Sequence, residues 1–201
     1  VTTTRWLLDH HPDAVAYPIA EAPLIRAFHE AGIRMSDDPA EIDIVVASYD
    51  RTFTYEKLQT AFDAIWFHGR ARLIATKDRY CPFPGGRGEP DCAAIVAAIE
   101  ACTGANCEAN LGKPYPQMLE ATLSGLGVAA ERCAMVGDRL STDIRMALDA
   151  GMGAVLVLTG DTTEDELQGV DAQDMPTLVL ERVDRLLPAE VWEQLGWTEE
   201  E

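Results

Sequence analysis

Three side chains in the second half of the chain have the type and spacing to manage an anion and a hard cation together. In Met135-Val-Gly-Asp-Arg-Leu-Ser-Thr-Asp143 an apolar strand ends at Gly137, Asp138 follows at once, and Asp143 falls in the first turn of the next helix. Carboxylates so spaced across a strand-to-helix turn can converge at the C-terminal end of a strand, where open α/β sheets bind ligands. A cation such as Mg²⁺ takes one or two carboxylates, fills its shell with water and leaves a place for a phosphate oxygen. The same residues have a purely structural alternative, in which Asp138 makes a turn and Asp143 caps its helix. In Gly112-Lys-Pro-Tyr-Pro116 a glycine and two prolines hold Lys113 in a loop before a helix. A lysine there offers a compact positive charge to a phosphate or carboxylate, although taken singly it reads as a solvated surface residue.

The elements that must position these groups alternate along the chain, short apolar strands with amphipathic helices, which argues for an α/β architecture. Strands are expected at 14–19, 43–48 and 72–76, with helices at 21–31 and 54–68. In the latter, Tyr55, Leu58, Phe62 and Ile65 recur at spacings of three and four. Cys81-Pro-Phe-Pro-Gly-Gly-Arg-Gly-Glu-Pro90 reads as a loop, and a helix follows to about Ala101. Residues 103–110 are polar without a clear period. The second half continues with helices at 117–126 and 142–150, strands at 133–136 and 154–158, then helix 163–168, strand 178–180 and helix 181–187. The acidic end from Trp192 onward reads as frayed.

Composition narrows the function classes. The 201 residues, 47% of them hydrophobic, can bury a core of one domain or two small ones. A net charge of −18 repels a phosphate backbone, so nucleic acid is excluded as a partner. No apolar run is long enough for a spanning helix, and residues 1–11 lack a secretory pattern, so no membrane partner is expected. The five cysteines include no C-x-x-C pair and read as reduced thiols in a cytoplasmic protein. With only Lys57, Lys77 and Lys113 as lysines, each one in a loop is worth notice. The four histidines show no ligand spacing, and the paired glycines at 125–127 and 151–153 lack a dinucleotide fingerprint.

An ordered set of segments resembles the haloacid dehalogenase (HAD) superfamily, in its large-capped class IIA branch of NagD-like and p-nitrophenyl phosphatases. The set runs Val45-Val…Asp50-Arg-Thr-Phe-Thr-Tyr-Glu-Lys-Leu58, Leu73-Ile-Ala-Thr76, Pro90…Ile95-Val-Ala-Ala-Ile-Glu100, Gly112-Lys-Pro, Met135-Val-Gly-Asp-Arg-Leu…Thr-Asp-Ile144, Ala150-Gly-Met152 and Leu156-Val-Leu-Thr-Gly160. The resemblance implies the C-terminal half of a Rossmann-like core plus an α/β cap. It divides the chain into a hinge helix at 1–12, a cap at 13–110, the core half at 111–190 and an acidic tail at 191–201. It also implies Mg²⁺-dependent hydrolysis of a small phosphorylated metabolite: a sugar phosphate, a nucleoside monophosphate or p-nitrophenyl phosphate. Asp138 then matches the metal ligand, Asp143 the supporting carboxylate and Lys113 the phosphate-binding lysine. Lys77, Asp78 and Asp50 are the cap candidates for substrate contact, and a homo-oligomer is left open.

The sequence departs from the family where substrate belongs. The family's Ala-Thr-Asn-x-Asp is shortened to Ala75-Thr-Lys-Asp78, and its Pro-Gly-x-Gly-Ala-Ile is Pro90-Asp-Cys-Ala-Ala-Ile95, where Asp91 would compete with an anion for helix N-terminal amides. The family's nucleophile stands in an Asp-x-Asp motif ahead of the cap, and no Asp-x-Asp follows an apolar strand here. Asp50 imitates that motif superficially, but chain order makes it a cap turn. The expectation is therefore a phosphatase whose 201 residues alone do not turn over, or a catalytically dead relative that binds a phosphorylated ligand or a protein partner.

Overall fold

The computed structural model describes residues 2–76, 80–82 and 88–195, and the chain divides into two compact units, Val1–Gly127 and Val128–Glu201. In the first unit the elements run α1 (Thr2–His10), β1 (Val15–Ile19), α2 (Ala22–Glu30), β2 (Arg34–Met35), β3 (Ile44–Ala47), α3 (Tyr55–Phe62), β4 (Arg72–Ala75), β5 (Tyr80–Pro82), β6 (Gly88–Pro90), α4 (Cys92–Thr103), β7 (Cys107–Asn110) and α5 (Pro116–Leu126). Five strands form a wholly parallel sheet in the order β2-β1-β3-β4-β7.

Alternating strand residues feed two cores. Tyr17, Ile19, Val45, Ala47, Leu73 and Ala75 face one cluster with Ile95, Val96 and Ile99 of α4. Ala16, Ile44, Val46 and Ile74 face the other, with Leu7 of α1 and Phe28 of α2. A sheet buried on both faces needs apolar residues at every position, and β3 is buried throughout. Thr54 caps α3, its hydroxyl accepting from the Lys57 amide at 3.3 Å, and α3 runs on into a π-helical turn at Asp63–Phe67. The α/β class expected from the sequence is what the strands and helices form.

Two expectations for the first unit need correction. Cys81–Pro90 was expected to be a loop, yet its described ends, β5 and β6, pair antiparallel. Proline and glycine content hid the ribbon; Gly88 suits the close pairing there, since a Cβ would sit 3.0 Å from the Cys81 carbonyl oxygen and the Tyr80 ring. The polar stretch before Asn110 ends in β7, which is held by pairing to β4 across a register shift, not by its own periodicity. The expected boundary at residue 110 is where β7 ends; α5 stays with the first unit because it packs against α1.

The second unit holds β8 (Ala134–Gly137), a π-helical turn at Leu140–Ile144, α6 (Arg145–Asp149), β9 (Gly153–Val157), α7 (Glu164–Leu167), β10 (Leu178–Leu180) and α8 (Ala189–Leu195). Its parallel sheet has the order β10-β9-β8. Ile144, Ala147, Ala154 and Leu156 form its buried cluster. The expected helix at 181–187 is a single 3₁₀ turn, Val183–Leu186. Of the stretch expected to fray, 192–195 belong to α8, in which Trp192 is buried and its indole N–H donates to the Asp184 carbonyl at 3.1 Å; the remainder lies outside the described residues. Among the described residues no helix is long and apolar enough to cross a membrane.

Candidate active site

The end of β8 is built around two carboxylates and two glycines. Asp138 leaves the strand immediately after Gly137, and its Oδ2 accepts the Asp161 amide at 2.8 Å. The Asp138 main-chain carbonyl accepts the Thr162 amide at 3.0 Å, so the turn after β8 is tied to the turn after β9. Gly160 leaves the space that the Asp138 carboxylate fills: any Cβ there would overlap it. Asp143 stands on Gly137 in the same way, its side chain occupying the room where a Gly137 Cβ would be. It is 2% exposed, and Thr142 Oγ1 donates to it at 3.3 Å. Buried carboxylates need partners, and this pair is held against backbone at the C-terminal end of a parallel strand.

Arg139 and Asp161 complete the frame. The Arg139 Nε donates to Asp161 Oδ2 at 3.1 Å, and Arg139 is buried. Neither residue, nor Gly160, was assigned a role from the sequence. A glycine ending an apolar strand and an arginine directly after the aspartate were the available signals. Asp138 is half-exposed and supplies hard oxygen, which fits a divalent cation that takes one or two carboxylates and otherwise water. Among the described residues no group of three or more His, Cys, Asp or Glu is arranged to hold a metal, so a cation here would depend on Asp138 and few other protein ligands.

Lys113 lies in the first unit, in the loop between β7 and α5. The loop is shaped by the Gly112 amide donating to Asn110 Oδ1 at 3.1 Å, the Tyr115 amide donating to the Gly112 carbonyl at 3.0 Å, and a cis Lys113–Pro114 bond. Lys77 and Asp78 lie outside the described residues.

Asp50 is buried at the end of β3. Its Oδ1 accepts from the Thr52 amide at 2.9 Å and hydroxyl at 2.6 Å, and its Oδ2 accepts from Lys57 Nζ at 2.5 Å. Burial pushes this carboxyl up, but the Lys57 and Thr52 hydrogen bonds outweigh it and hold it below the usual carboxylate range. Both oxygens are committed to the turn that starts α3. Beside it, Arg51 Nε donates to Glu21 Oε1 at 2.6 Å, and that bond holds the Glu21 carboxyl below its ordinary range. At α4, Asp91 Oδ1 accepts the Cys92 amide at 2.5 Å, so the helix N-terminus carries its own carboxylate.

The HAD-hydrolase-like family model matches residues 110–186. The chain is 36% identical over 165 residues to the sugar-phosphatase AraL of Bacillus subtilis, covering 82% of this chain and 60% of that protein. It is 35% identical over 167 residues to a dihydroxyacetone phosphatase of Corynebacterium glutamicum, covering 83% of this chain and 58% of the relative. The chain thus spans about 60% of the length of these curated relatives. The crystal structure of a 4-nitrophenylphosphatase from Thermotoga maritima superposes with a TM-score of 0.82 at 33% identity, over 92% of this chain and 69% of that one. With this fold, this order of segments and these relatives, the chain belongs to the HAD superfamily, in its class IIA branch of NagD-like and p-nitrophenyl phosphatases.

Proposed function

We propose that the protein is a cytoplasmic, Mg²⁺-dependent hydrolase of small phosphate monoesters, with sugar phosphates foremost. The observation that carries this reading is the Asp138 carboxylate, oriented by the Asp161 amide and backed by Gly160 at the C-terminal end of β8. Relatives named as sugar and triose phosphatases support the substrate class; nucleoside monophosphates and p-nitrophenyl phosphate are the other members to test.

In this reading residues 1–12 are the hinge, 13–110 the substrate-selecting cap, and 111–190 the part of the core that holds cation and phosphate. Asp138 holds Mg²⁺, which supplies charge neutralisation for the transferring phosphoryl group. Asp143, fixed against Gly137, supports the strand end from which Asp138 projects. Lys113 gives the phosphate a compact positive charge from a loop stiffened by two prolines. No residue of the chain is assigned as nucleophile.

The test is phosphate release from a panel of triose, pentose and hexose phosphates, nucleoside monophosphates and p-nitrophenyl phosphate, with Mg²⁺ and with chelator, using protein expressed from its native gene. Asp138→Asn and Lys113→Ala are each expected to lower kcat about 10²-fold or more, since each removes charge needed in the transition state. Normal turnover in both variants would remove the site.

A further inference from the structure

The first unit's sheet has a topological switch point, and its own side chains make contacts across it. From β1 the chain passes through α2 to β2 on one side; from β3 it passes through α3 to β4 on the other. The helices α2 and α3 pack on opposite faces, so the strand order reverses between β1 and β3. Open α/β sheets bind ligands outside the C-terminal ends of strands at such a point. Here the space after β1 and β3 holds a chain of contacts. The Glu21 amide donates to the Tyr49 carbonyl at 3.3 Å. Arg51 pairs with Glu21 and lies over the Tyr49 ring at 5.5 Å. The Tyr49 hydroxyl donates to Glu89 Oε2 in the antiparallel ribbon β5–β6. That ribbon comes after β4 in chain order.

We propose that Tyr49 is a positioning residue for substrate selection: its hydroxyl latches the β5–β6 ribbon to the end of β3. The proposal rests on the phosphatase reading above. The ribbon has only two short strands; α4, which begins two residues after β6, holds one end of it, and a side-chain tie to the end of β3 adds to its placement. The Tyr49 hydroxyl reaches Glu89, and Arg51, paired with Glu21, lies over the Tyr49 ring. The bond to the Glu89 carboxylate raises the Tyr49 pKa to about 12, so the phenol remains the donor at every physiological pH. A neutral donor to a carboxylate is the stronger kind of hydrogen bond.

Two measurements test this on the same variants. The first is amide exchange in the protein itself. Tyr49→Phe keeps the ring and removes the hydroxyl. It should speed exchange at Tyr80, Cys81 and Glu89 about ten- to a hundredfold, as expected for a lost hydrogen bond to a charged group, while Val45 and Val46 in β3 keep the parent rate. Glu89→Gln, which keeps an acceptor but loses the charge, should lose less protection than Tyr49→Phe. Unchanged exchange in the ribbon of Tyr49→Phe, or equal acceleration in β3, overturns the latch. The second is kinetic. In Tyr49→Phe, KM for sugar phosphates should rise several-fold more than kcat falls, and the preference among esters should change. A fall in kcat alone, with the preference intact, overturns the role in selection. If no ester is hydrolysed by the protein expressed from its native gene, the phosphatase reading fails and the selection role fails with it. The exchange result then still reports on the bond itself.

Discussion

The two parallel sheets of this chain are finished to different degrees. In the first unit β3 is buried at all four positions and lies between β1 and β4, with helices over both faces. In the second unit β8 stands at the edge of three strands, and Ala134 and Val136 are exposed, Val136 to 37%. Val183, Leu178 and Leu186 are exposed in that unit as well. The residue types along β3 and β8 are nearly alike, Ile-Val-Val-Ala against Ala-Met-Val-Gly. Neighbouring elements, and not the strand's own composition, decide which of them is core. An edge strand of apolar residues templates pairing with another chain, and such patches are uncommon on soluble monomers.

The largest effect should appear in hydrogen exchange. Residues 128–187 are expected to exchange faster than the β1, β3 and β4 amides by about two orders of magnitude, or else to be protected by self-association that dilution reverses. Opening free energies range from near zero to the global value within one protein, which leaves room for such a spread. Equal protection in both units, with a monomeric mass at micromolar concentration, would dissolve the contrast between the sheets.

A smaller effect sharpens the other side. Asp50→Asn keeps an acceptor for Thr52 but leaves Lys57 without its counter-charge; hydrogen bonds to charged groups contribute about 1.5–3 kcal/mol, so the first unit should lose about 2 kcal/mol. The pH dependence has a definite sign. The folded carboxyl titrates below its unfolded value, so its contribution is complete above about pH 4 and disappears as pH falls through the lower folded value. Urea midpoints of parent and variant should therefore differ at pH 7 and draw together as pH falls below about 4. A difference that stays constant across that range would mean the bond contributes through shape alone. The same variant bears on chemistry: if it abolished turnover of p-nitrophenyl phosphate, Asp50 would be more than a turn.

Where the candidate carboxylates fall, at the end of an apolar strand and in the turn after it, could be read before the fold was known, for a local reason. Asp138 and Asp143 belong to one strand-turn-helix segment, and the glycines they lean on are either adjacent in sequence or at the end of the next apolar strand. What escaped was set by distant partners. The strands β2 and β7 are two and four residues long and polar enough to lack a period; each exists because a neighbour's backbone is unpaired. The ribbon β5–β6 was masked by prolines that tolerate an edge. The π-helical turns at Asp63–Phe67 and Leu140–Ile144 share the apolar spacing of the α-helices they adjoin, so periodicity alone cannot separate them.

The smallest effect concerns α8, where the acidic composition hides a packed aromatic residue. Glutamates around Trp192 suggest an unstructured tail, yet Trp192 is 7% exposed, donates to the Asp184 carbonyl, and has the Arg185 guanidinium 4.3 Å from its ring centre. One aromatic residue thus fastens α8 onto the preceding 3₁₀ turn. Trp192→Phe keeps an aromatic face for Arg185 but a weaker one, and removes the indole donor, leaving the Asp184 carbonyl to water. The expected loss is about 1 kcal/mol, the usual net value of one neutral hydrogen bond. It should fall on the second unit: exchange should quicken at Val183 to Leu187 and in α8, while β3 and β4 keep their parent rates. Equal acceleration in β3 would show that the two sheets open as one cooperative body, and the contrast between a closed sheet and an open one would then describe their surfaces only, not their stabilities.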